Sequence, residues 1–586
     1  MDKKSSRRKR TRIPPEHGGI QVNFCKNPAC ENFGVAASQK VQRGAGTKKD
    51  GYTVVAAGKG VPVLHCHTCN EYPPIKSNQG IHEELQRMLE GLPATREAAC
   101  PHVGCANQSV GVSTGKQFYS SYGKSSSGAP RFKCKACGKV FNVSKPAAKQ
   151  STSHKNKLVF KLLMNKTPFR RICEVADINP KTLYDKIDFL HRQCLAFAAE
   201  RERALLEGKR IRRLYVSVDR QDYIVNWSRR EDKRNTKLTA VGSADNETGY
   251  VFGMHLNYDS SLNPEEIEHK AIEAGDYDAP FPFRRHARLW LQGDYDEAIR
   301  RSVRRRSSGD LMRQVHEAYE EAGRRKDVEA SEHLSPATRL PARGMQVHSE
   351  YTLYGHFLFL HKLFGGVDKV RFFLDQDSGM RAACLAAFHR EIKARTCDAF
   401  YVRIKKEITI DEKRCALAES RRVFREAQKA HPDLSEAELK LMLIKQRMAQ
   451  MTEIGQWKDR WLLHPFPNMS EPGKAICHLT DYGDYDEDHL AWLYNKASMH
   501  AIDCFFMQVR RRLSLLERSI SPASRARRMW HGYAAYRPDM IAKMLDIFRV
   551  YYNFCIVGKA GETPAMRMGL AKGPVSEEQI IYFEPI

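Results

Sequence analysis

Apolar positions are densest in the second half of the chain, where they fall into short runs separated by polar turns. Leu214–Val218 and Val370–Leu374 are β-rich runs, each followed at once by an aspartate, Asp219 and Asp375. Leu238–Ala244 and Tyr250–Leu256 flank Asp245-Asn-Glu-Thr-Gly249 and predict a β-hairpin. Residues 351–364 read as an apolar helix packed back on the sheet, 381–394 as another helix, and Ala399–Ile404 as a further strand. A closing helical pair is predicted over 488–517 and 538–555. In the first of these, Ile502, Phe505, Phe506, Val509, Leu513 and Leu516 trace one buried face. Asp503, Arg510 and Glu517 are spaced seven apart and line up beside that face. Two charged stretches interrupt the pattern and read as insertions. The first, 258–344, is helical or loop and carries Arg300-Arg301 and Arg304-Arg305-Arg306; the second, 411–460, reads as helical.

Upstream, helical periodicity returns over 154–190 as three short helices. Leu158, Phe160, Leu162 and Leu163 fall in the first, and Phe169, Ile172, Cys173 and Ala176 form the inner face of the second. Asp177-Ile178-Asn179 is the turn, with Asn179 as N-cap and Pro180 at the first helical position. Thr182, Leu183, Lys186, Ile187 and Leu190 continue the third helix, and 195–210 reads as a polar helical connector. A tight turn between two such helices is the helix-turn-helix plan, which places the second helix in the major groove. Lys181, Thr182, Tyr184 and Asp185 are the residues it would aim at bases. Between residues 81 and 92, Ile81, Leu85, Met88, Leu89 and Leu92 mark a further short helix.

The cysteines add metal chemistry. Cys25-x4-Cys30 is followed by Cys66-x2-Cys69, and Cys100-x4-Cys105 by Cys134-x2-Cys137, so one plan occurs twice. Four thiolates from two knuckles complete a tetrahedral zinc site with no open position, which is structural rather than catalytic. His65, His67 and His102 are bystanders on this reading, because each set of four is complete without them. Ser120–Gly128 reads as a flexible finger inside the second ribbon.

Charge narrows the partner. Lys plus Arg number 96 against 69 Asp plus Glu, a net +27, which favours a polyanion such as double-stranded DNA. Residues 101–150 hold eight Lys or Arg and no acid, and Lys3, Lys4, Arg7, Arg8, Lys9, Arg10 and Arg12 make the start a basic tail. No window has the apolar length of a membrane span, and no secretory apolar core follows the basic start. An intracellular, cytoplasmic protein, nucleoid-associated in a bacterium, is expected.

In an open α/β sheet, sites form beyond the carboxyl ends of strands. Asp219 and Asp375 occupy that position if their strands are neighbours, and hard oxygen ligands suit Mg²⁺. Asp377, one step into the loop before Ser378-Gly379, is the alternative to Asp375. For a third carboxylate, Asp503 is favoured and Glu517 is the alternative. Arg510, Arg511 and Arg512, two turns after Asp503, would hold DNA phosphates.

Taken together, these motifs resemble insertion-sequence DDE/D transposases with N-terminal zinc ribbons and a helix-turn-helix, the Mutator-like and related ribonuclease-H-like group. Leu374-Asp-Gln-Asp-Ser-Gly-Met-Arg-Ala-Ala383 looks like their second-Asp motif. Asp503 followed by Arg510 is similar to their last-carboxylate helix, with Asp in place of the commoner Glu. Phe548-Arg-Val-Tyr-Tyr-Asn-Phe554 with Thr563-Pro-Ala-Met-Arg567 resembles their C-terminal ending. The resemblance implies a multidomain α/β protein: basic tail 1–21, zinc ribbons 22–80 and 95–147, helix-turn-helix 150–195, and a ribonuclease-H-like mixed-sheet core over 210–586. It also implies two structural Zn²⁺, two catalytic Mg²⁺, strand cleavage at element ends, and strand transfer into target DNA by a homo-oligomer. The competing expectations are a zinc-ribbon, helix-turn-helix regulator with an inactive nuclease-like core, and a nuclease without strand transfer.

Overall fold

The computed structural model describes residues 11–40, 50–56, 61–90, 98–112, 115–125, 129–143, 150–228, 231–301, 310–325, 327–330, 332, 334–405, 408–517 and 531–584. Lys3, Lys4, Arg7, Arg8, Lys9 and Arg10 of the basic tail, Arg304–Arg306, and 126–128 of the serine-rich loop lie outside these residues. The described residues form two units. One is drawn from Met1–Arg87, Arg210–Tyr223 and Trp227–Cys504, and the other from Met88–Lys209, Ile224–Asn226 and Phe505–Ile586.

In chain order the first elements are the hairpin β1 (Tyr52–Ala56) and β2 (Pro62–Cys66), then helix α1 (Asn78–Glu90). A three-stranded antiparallel sheet follows, β3 (Tyr119–Lys124), β4 (Pro130–Cys134) and β5 (Val140–Asn142). Three helices come next: α2 (Asn156–Leu163), α3 (Phe169–Ala176) and α4 (Pro180–Leu206). The strands β6 (Leu214–Val225), β7 (Thr236–Asp245) and β8 (Val251–Leu256) open the large sheet. The first insertion holds β9 (Tyr258–Asp259), α5 (Pro264–Ala274), α6 (Gln292–Arg301), α7 (Leu311–Arg324) and β10 (Met345–Gln346). Then come α8 (Ser349–Leu363), β11 (Val370–Asp375), α9 (Ser378–Ala387), α10 (His389–Lys393) and β12 (Cys397–Ile404). The second insertion gives α11 (Ile410–Ala430) and α12 (Glu436–Met448). The chain continues through β13 (Thr452–Ile454), β14 (Asp459–Leu463), β15 (Lys474–His478), α13 (Glu487–Lys496) and α14 (His500–Arg512). It closes with α15 (Pro538–Phe554), α16 (Pro564–Arg567) and α17 (Glu577–Ile581).

Eight strands make one mixed sheet in the order β13-β14-β15-β12-β11-β6-β7-β8. β11 is parallel to both β6 and β12, while β15, β14 and β13 add antiparallel strands beyond β12. β11 is central, and its first five residues are buried on both faces, as expected for a parallel strand covered on each side. Arg371 is tolerated there because its Nε lies 3.2 Å from Asp398 on β12. α8 is apolar nearly all round and packs on β7 and β8. α9 starts on Asp377, whose Oδ1 accepts from the Met380 N–H at 2.8 Å. Gly379 is required in its first turn, because a Cβ there would meet the Glu329 carbonyl oxygen at 2.4 Å.

Several boundaries differ from the sequence expectations. The third upstream helix is not short: α4 runs 27 residues and absorbs the connector, because Cys194, Phe197, Ala198 and Leu205 are buried and Glu202 pairs with Arg549 of α15. The second insertion is not wholly helical, since Thr452–Ile454 and Asp459–Leu463 are strands that extend the sheet. The predicted helix 488–517 is two helices, with a break at Ala497-Ser-Met499, and it ends at Arg512. Ser120–Lys124 is strand rather than finger. Arg12 is not a free tail cation: it pairs with Asp50 at 2.7 Å, beside the fully buried Ile13.

Candidate active site and metal centres

Each predicted cysteine set comes together. The four Sγ atoms of Cys25, Cys30, Cys66 and Cys69 lie within 4.8 Å of one another, as do those of Cys100, Cys105, Cys134 and Cys137. Individual separations are 3.4 Å for Cys25–Cys69, 3.7 Å for Cys30–Cys66, 3.3 Å for Cys100–Cys137 and 3.7 Å for Cys105–Cys134. Tetrahedral zinc with bonds of about 2.3 Å needs sulfur–sulfur edges of about 3.8 Å. The donor type, number and spacing therefore fit a structural zinc ion in each ribbon. The three histidines stay outside the sets; His65 stacks on Tyr72 and His67 bonds Thr53.

A supporting layer is repeated as well, and the sequence reading missed it. The Asn two residues after the second cysteine donates to the third: Asn32 to Cys66 at 3.4 Å and Asn107 to Cys134 at 3.3 Å. A buried tyrosine accepts from the N–H of the first cysteine, Tyr52 from Cys25 and Tyr119 from Cys100. Each tyrosine hydroxyl also points its one proton at a pair of carbonyls just after the second cysteine, Asn32 and Val35 or Asn107 and Val110. Burial pushes the Cys134 thiol up, but the Cys137 N–H and the Asn107 amide outweigh it and bring the group down to about 6. A thiol lowered in this way is ready to be a ligand at neutral pH, whereas burial pushes Cys100 of the same set up to about 12. The signal was present as Cys-x4-Cys-x-Asn followed by Tyr, in both copies.

The carboxylates build a different site. Val218 of β6 is in register with Leu374 of β11, so Asp219 and Asp375 stand side by side at the carboxyl ends of adjacent parallel strands. Both line one cleft, together with Arg220, Asp222, Lys237, Thr239, Tyr295, Glu332 and others from the first insertion. Asp219 is buried and its Oδ1 accepts from the Arg220 N–H at 2.7 Å. The Arg220 guanidinium pairs with Asp377 at 2.7 Å. Burial pulls Arg220 down, yet Asp377, Asp222, Asp219 and Asp375 together raise its pKa, which places it among four carboxylates. Asp222 pairs in turn with Lys237 at 2.7 Å and accepts from Thr239. Glu332 receives Trp290 Nε1 at 2.5 Å, the Asn257 amide at 3.0 Å and the Ser349 hydroxyl at 2.8 Å. Burial pushes its pKa up despite those donors. No sequence signal tied Glu332 to the aspartates, since it lies in the insertion. Arg220, next to Asp219 in Asp219-Arg-Gln-Asp222, was legible but not used.

Asp377 is an N-cap and ion-pair partner. Asp503 sits in the first turn of α14. That turn docks on the first aspartate's strand, with the Ile502 N–H 3.3 Å from the Ser217 hydroxyl, two residues before Asp219. Asp503 is not among the residues lining the cleft. Among the described residues, only the two cysteine sets bring three or more potential metal ligands within 4.8 Å of one another. Glu517 is past the end of α14, not on it, and pairs with Lys166 at 2.9 Å. Two carboxylates in register, open to one cleft, are a hard-oxygen donor set of the kind Mg²⁺ takes when substrate phosphates and water complete its shell.

In the other unit, the Asn179 side chain caps α4 by accepting from the Thr182 N–H at 2.8 Å. Lys181, Tyr184 and Asp185 are exposed and Thr182 is half-buried. Tyr184 meets Phe169 edge-on, and Arg537 lies over its ring. Lys186 faces inward and donates to the Ser151 and Thr152 carbonyls. Arg511 is exposed and Arg510 half-buried, while Arg512 is held by Gln508 and Asn165.

Compared with models of known protein families, the chain matches none, and no curated protein matches it either.

Proposed function

We propose that the protein is a DDE/D-type DNA transposase, binding element ends and catalysing metal-dependent strand cleavage and strand transfer as a homo-oligomer on DNA. The observation that carries this reading is the in-register pair Asp219 and Asp375 at the ends of adjacent parallel strands, open to one charged cleft. The strand order β8-β7-β6-β11-β12, with α8 and α9 against it, supports a ribonuclease-H-like core. The docking of α14 on Ser217, two residues before Asp219, supports Asp503 as the third acid. Asp219 and Asp375, with Asp503, would hold the Mg²⁺ ions, which supply Lewis-acid stabilisation of charge on the phosphate oxygens. Arg220 pairs with Asp377 and bridges the carboxylate cluster. Its guanidinium lines the cleft and could offer a bidentate contact to a phosphate. The capped start of α4, with Lys181 and Tyr184 outward, supports a helix-turn-helix reader for the element ends.

The test is Mg²⁺-dependent cleavage of a duplex bearing the element end, followed by detection of joined products. Asp219→Asn, Asp375→Asn and Asp503→Asn are each expected to lower cleavage about a thousandfold or more, because charge stabilisation worth several kcal/mol is removed. DNA binding should stay nearly intact. Asp377→Asn and Glu517→Gln should be milder, since both sit in ion pairs. One observation favours the regulator reading: a guanidinium lies among the four carboxylates and is ion-paired with one of them, Asp377. Wild-type protein that binds the end but never cuts it would decide for that alternative, and cutting without joining would decide for a nuclease.

A further inference from the structure

The two ribbons share ligands, spacing and supporting layer, yet their surfaces differ. In the first, two basic groups among the described residues are turned inward. Lys26 and Lys76 are buried, and Lys76 lies 2.5 Å from Asp327 and 3.6 Å from Glu329. Lys26 lies 3.7 Å from Glu329 and 3.0 Å from the Tyr354 hydroxyl, and Phe24 packs against His389. That ribbon is stapled into its unit by charges withdrawn from solvent.

The second ribbon keeps its charges outside. Residues 98–143 contain six Lys or Arg and no acid, so the stretch holds no carboxylate to pair with them. Its three strands alternate between two faces, with Ser121 opposite Phe132 on the first and Val140 opposite Lys133 on the second. Tyr119 is opposite Cys134, and Phe132 opposite Phe141, on the side of the cysteine cluster. The other side carries Ser120 opposite Lys133 and Arg131 opposite Asn142. On that side the Arg131 guanidinium lies 5.4 Å over the ring of Tyr122, which is 51% exposed. At the other end of the same hairpin, exposed Phe118 accepts through its carbonyl from the N–H of exposed Lys135.

We infer that the outer face of the β3–β4 hairpin, built on Tyr122, Arg131, Lys133 and Lys135, is a second DNA-binding surface that grips the backbone of duplex DNA without reading sequence. From Tyr119 to Tyr122 the strand spans about 10 Å, a length of helix axis that carries about three phosphates of one strand. Stacking on Tyr122 holds the planar Arg131 fork in place, so it gives up less freedom when it meets a phosphate. Ser120 adds a small hydroxyl donor between the cations. The uncompensated charge is complementary to a phosphate backbone and to no acidic patch in its own stretch. The inference does not depend on catalysis, because its readout is binding alone.

The test uses the full-length, zinc-loaded protein and a short unrelated duplex, followed by fluorescence anisotropy across a salt series. The triple variant R131A/K133A/K135A should bind about tenfold more weakly at moderate salt. Its slope of log affinity against log salt should fall by about 2–3, at about 0.9 for each phosphate that is no longer neutralised. Tyr122→Ala should weaken binding a few-fold and Tyr122→Phe should not. As a control for charge removal alone, R414A/R421A/R425A on the exposed α11 takes away the same number of positive charges. Equal weakening in both triples would mean non-specific charge rather than this face, and would overturn the inference. So would an unchanged slope in the ribbon triple with zinc content intact. A weakening confined to single-stranded oligonucleotides would overturn the duplex assignment.

Discussion

Glu350 illustrates how a single buried group ties the first ribbon's ionic cluster to pH. Burial pushes its carboxyl up to about 8, although Lys76 at 3.8 Å pulls the other way. A carboxyl raised above its ordinary 4.5 keeps a proton that the unfolded chain has released. Stability is therefore full below the unfolded value and falls as pH rises from about 4.5 toward about 8. Glu350→Gln keeps the protonated shape and removes the titration. The variant should match wild type near pH ~5 and melt a few degrees higher near pH ~9, read by thermal unfolding. Identical melting curves at the higher pH would mean that Lys76 holds Glu350 ionised in the fold. At the same scale, Asp375 and Asp377 look alike in sequence and separate only in structure. Asp375 ends a strand in register with Asp219, whereas Asp377 spends one oxygen capping α9 and the other on Arg220.

Among the elements, the ribbons are the most local and so the most legible. Cys-x4-Cys and Cys-x2-Cys knuckles set their own geometry within a few residues, and the spacing alone pointed to both metal sites. Replacing Cys134 and Cys137 with Ser should lower bound zinc from about two ions per chain to about one, by the count of four-cysteine sets. Metal analysis gives the count. Amide hydrogen exchange should show loosening confined to the second ribbon, because each site closes on its own four ligands. Untreated protein free of zinc would refute the assignment. Longer elements were legible in kind but not in extent. α4 outran its predicted end because its second half is buried against α15, a choice its own polar sequence did not announce. β13 and β14 differ from the expectation because only sheet pairing distinguishes them from the adjoining charged stretch.

For the whole molecule, the proposed division of labour separates reading, gripping and cutting. If the start of α4 reads element ends, substituting Lys181 and Tyr184 with Ala should reduce preference for the end sequence more than total affinity. Competition between specific and random duplexes measures this; the expected weakening is about 1–3 kcal/mol in the specific complex only. Equal weakening on both duplexes would move these residues to backbone binding. The net charge of +27 predicts that every one of these affinities falls steeply with salt.

The sequence by itself determined the two four-cysteine sets, the N-cap of α4, the hairpin at Gly249 and the two strands that end in aspartate. Each is written in a short stretch whose chemistry is complete without distant partners. Tertiary structure alone decided that β6 and β11 are neighbours in register, and hence that Asp219 and Asp375 share a cleft. It also decided that Arg220 stands among four carboxylates, that Glu332 of an insertion lines the same cleft, and that Glu517 lies beyond its helix. The physical reason is that an apolar run announces burial, whereas the strand it pairs with and the loop that folds over it are set by packing between residues far apart in the chain.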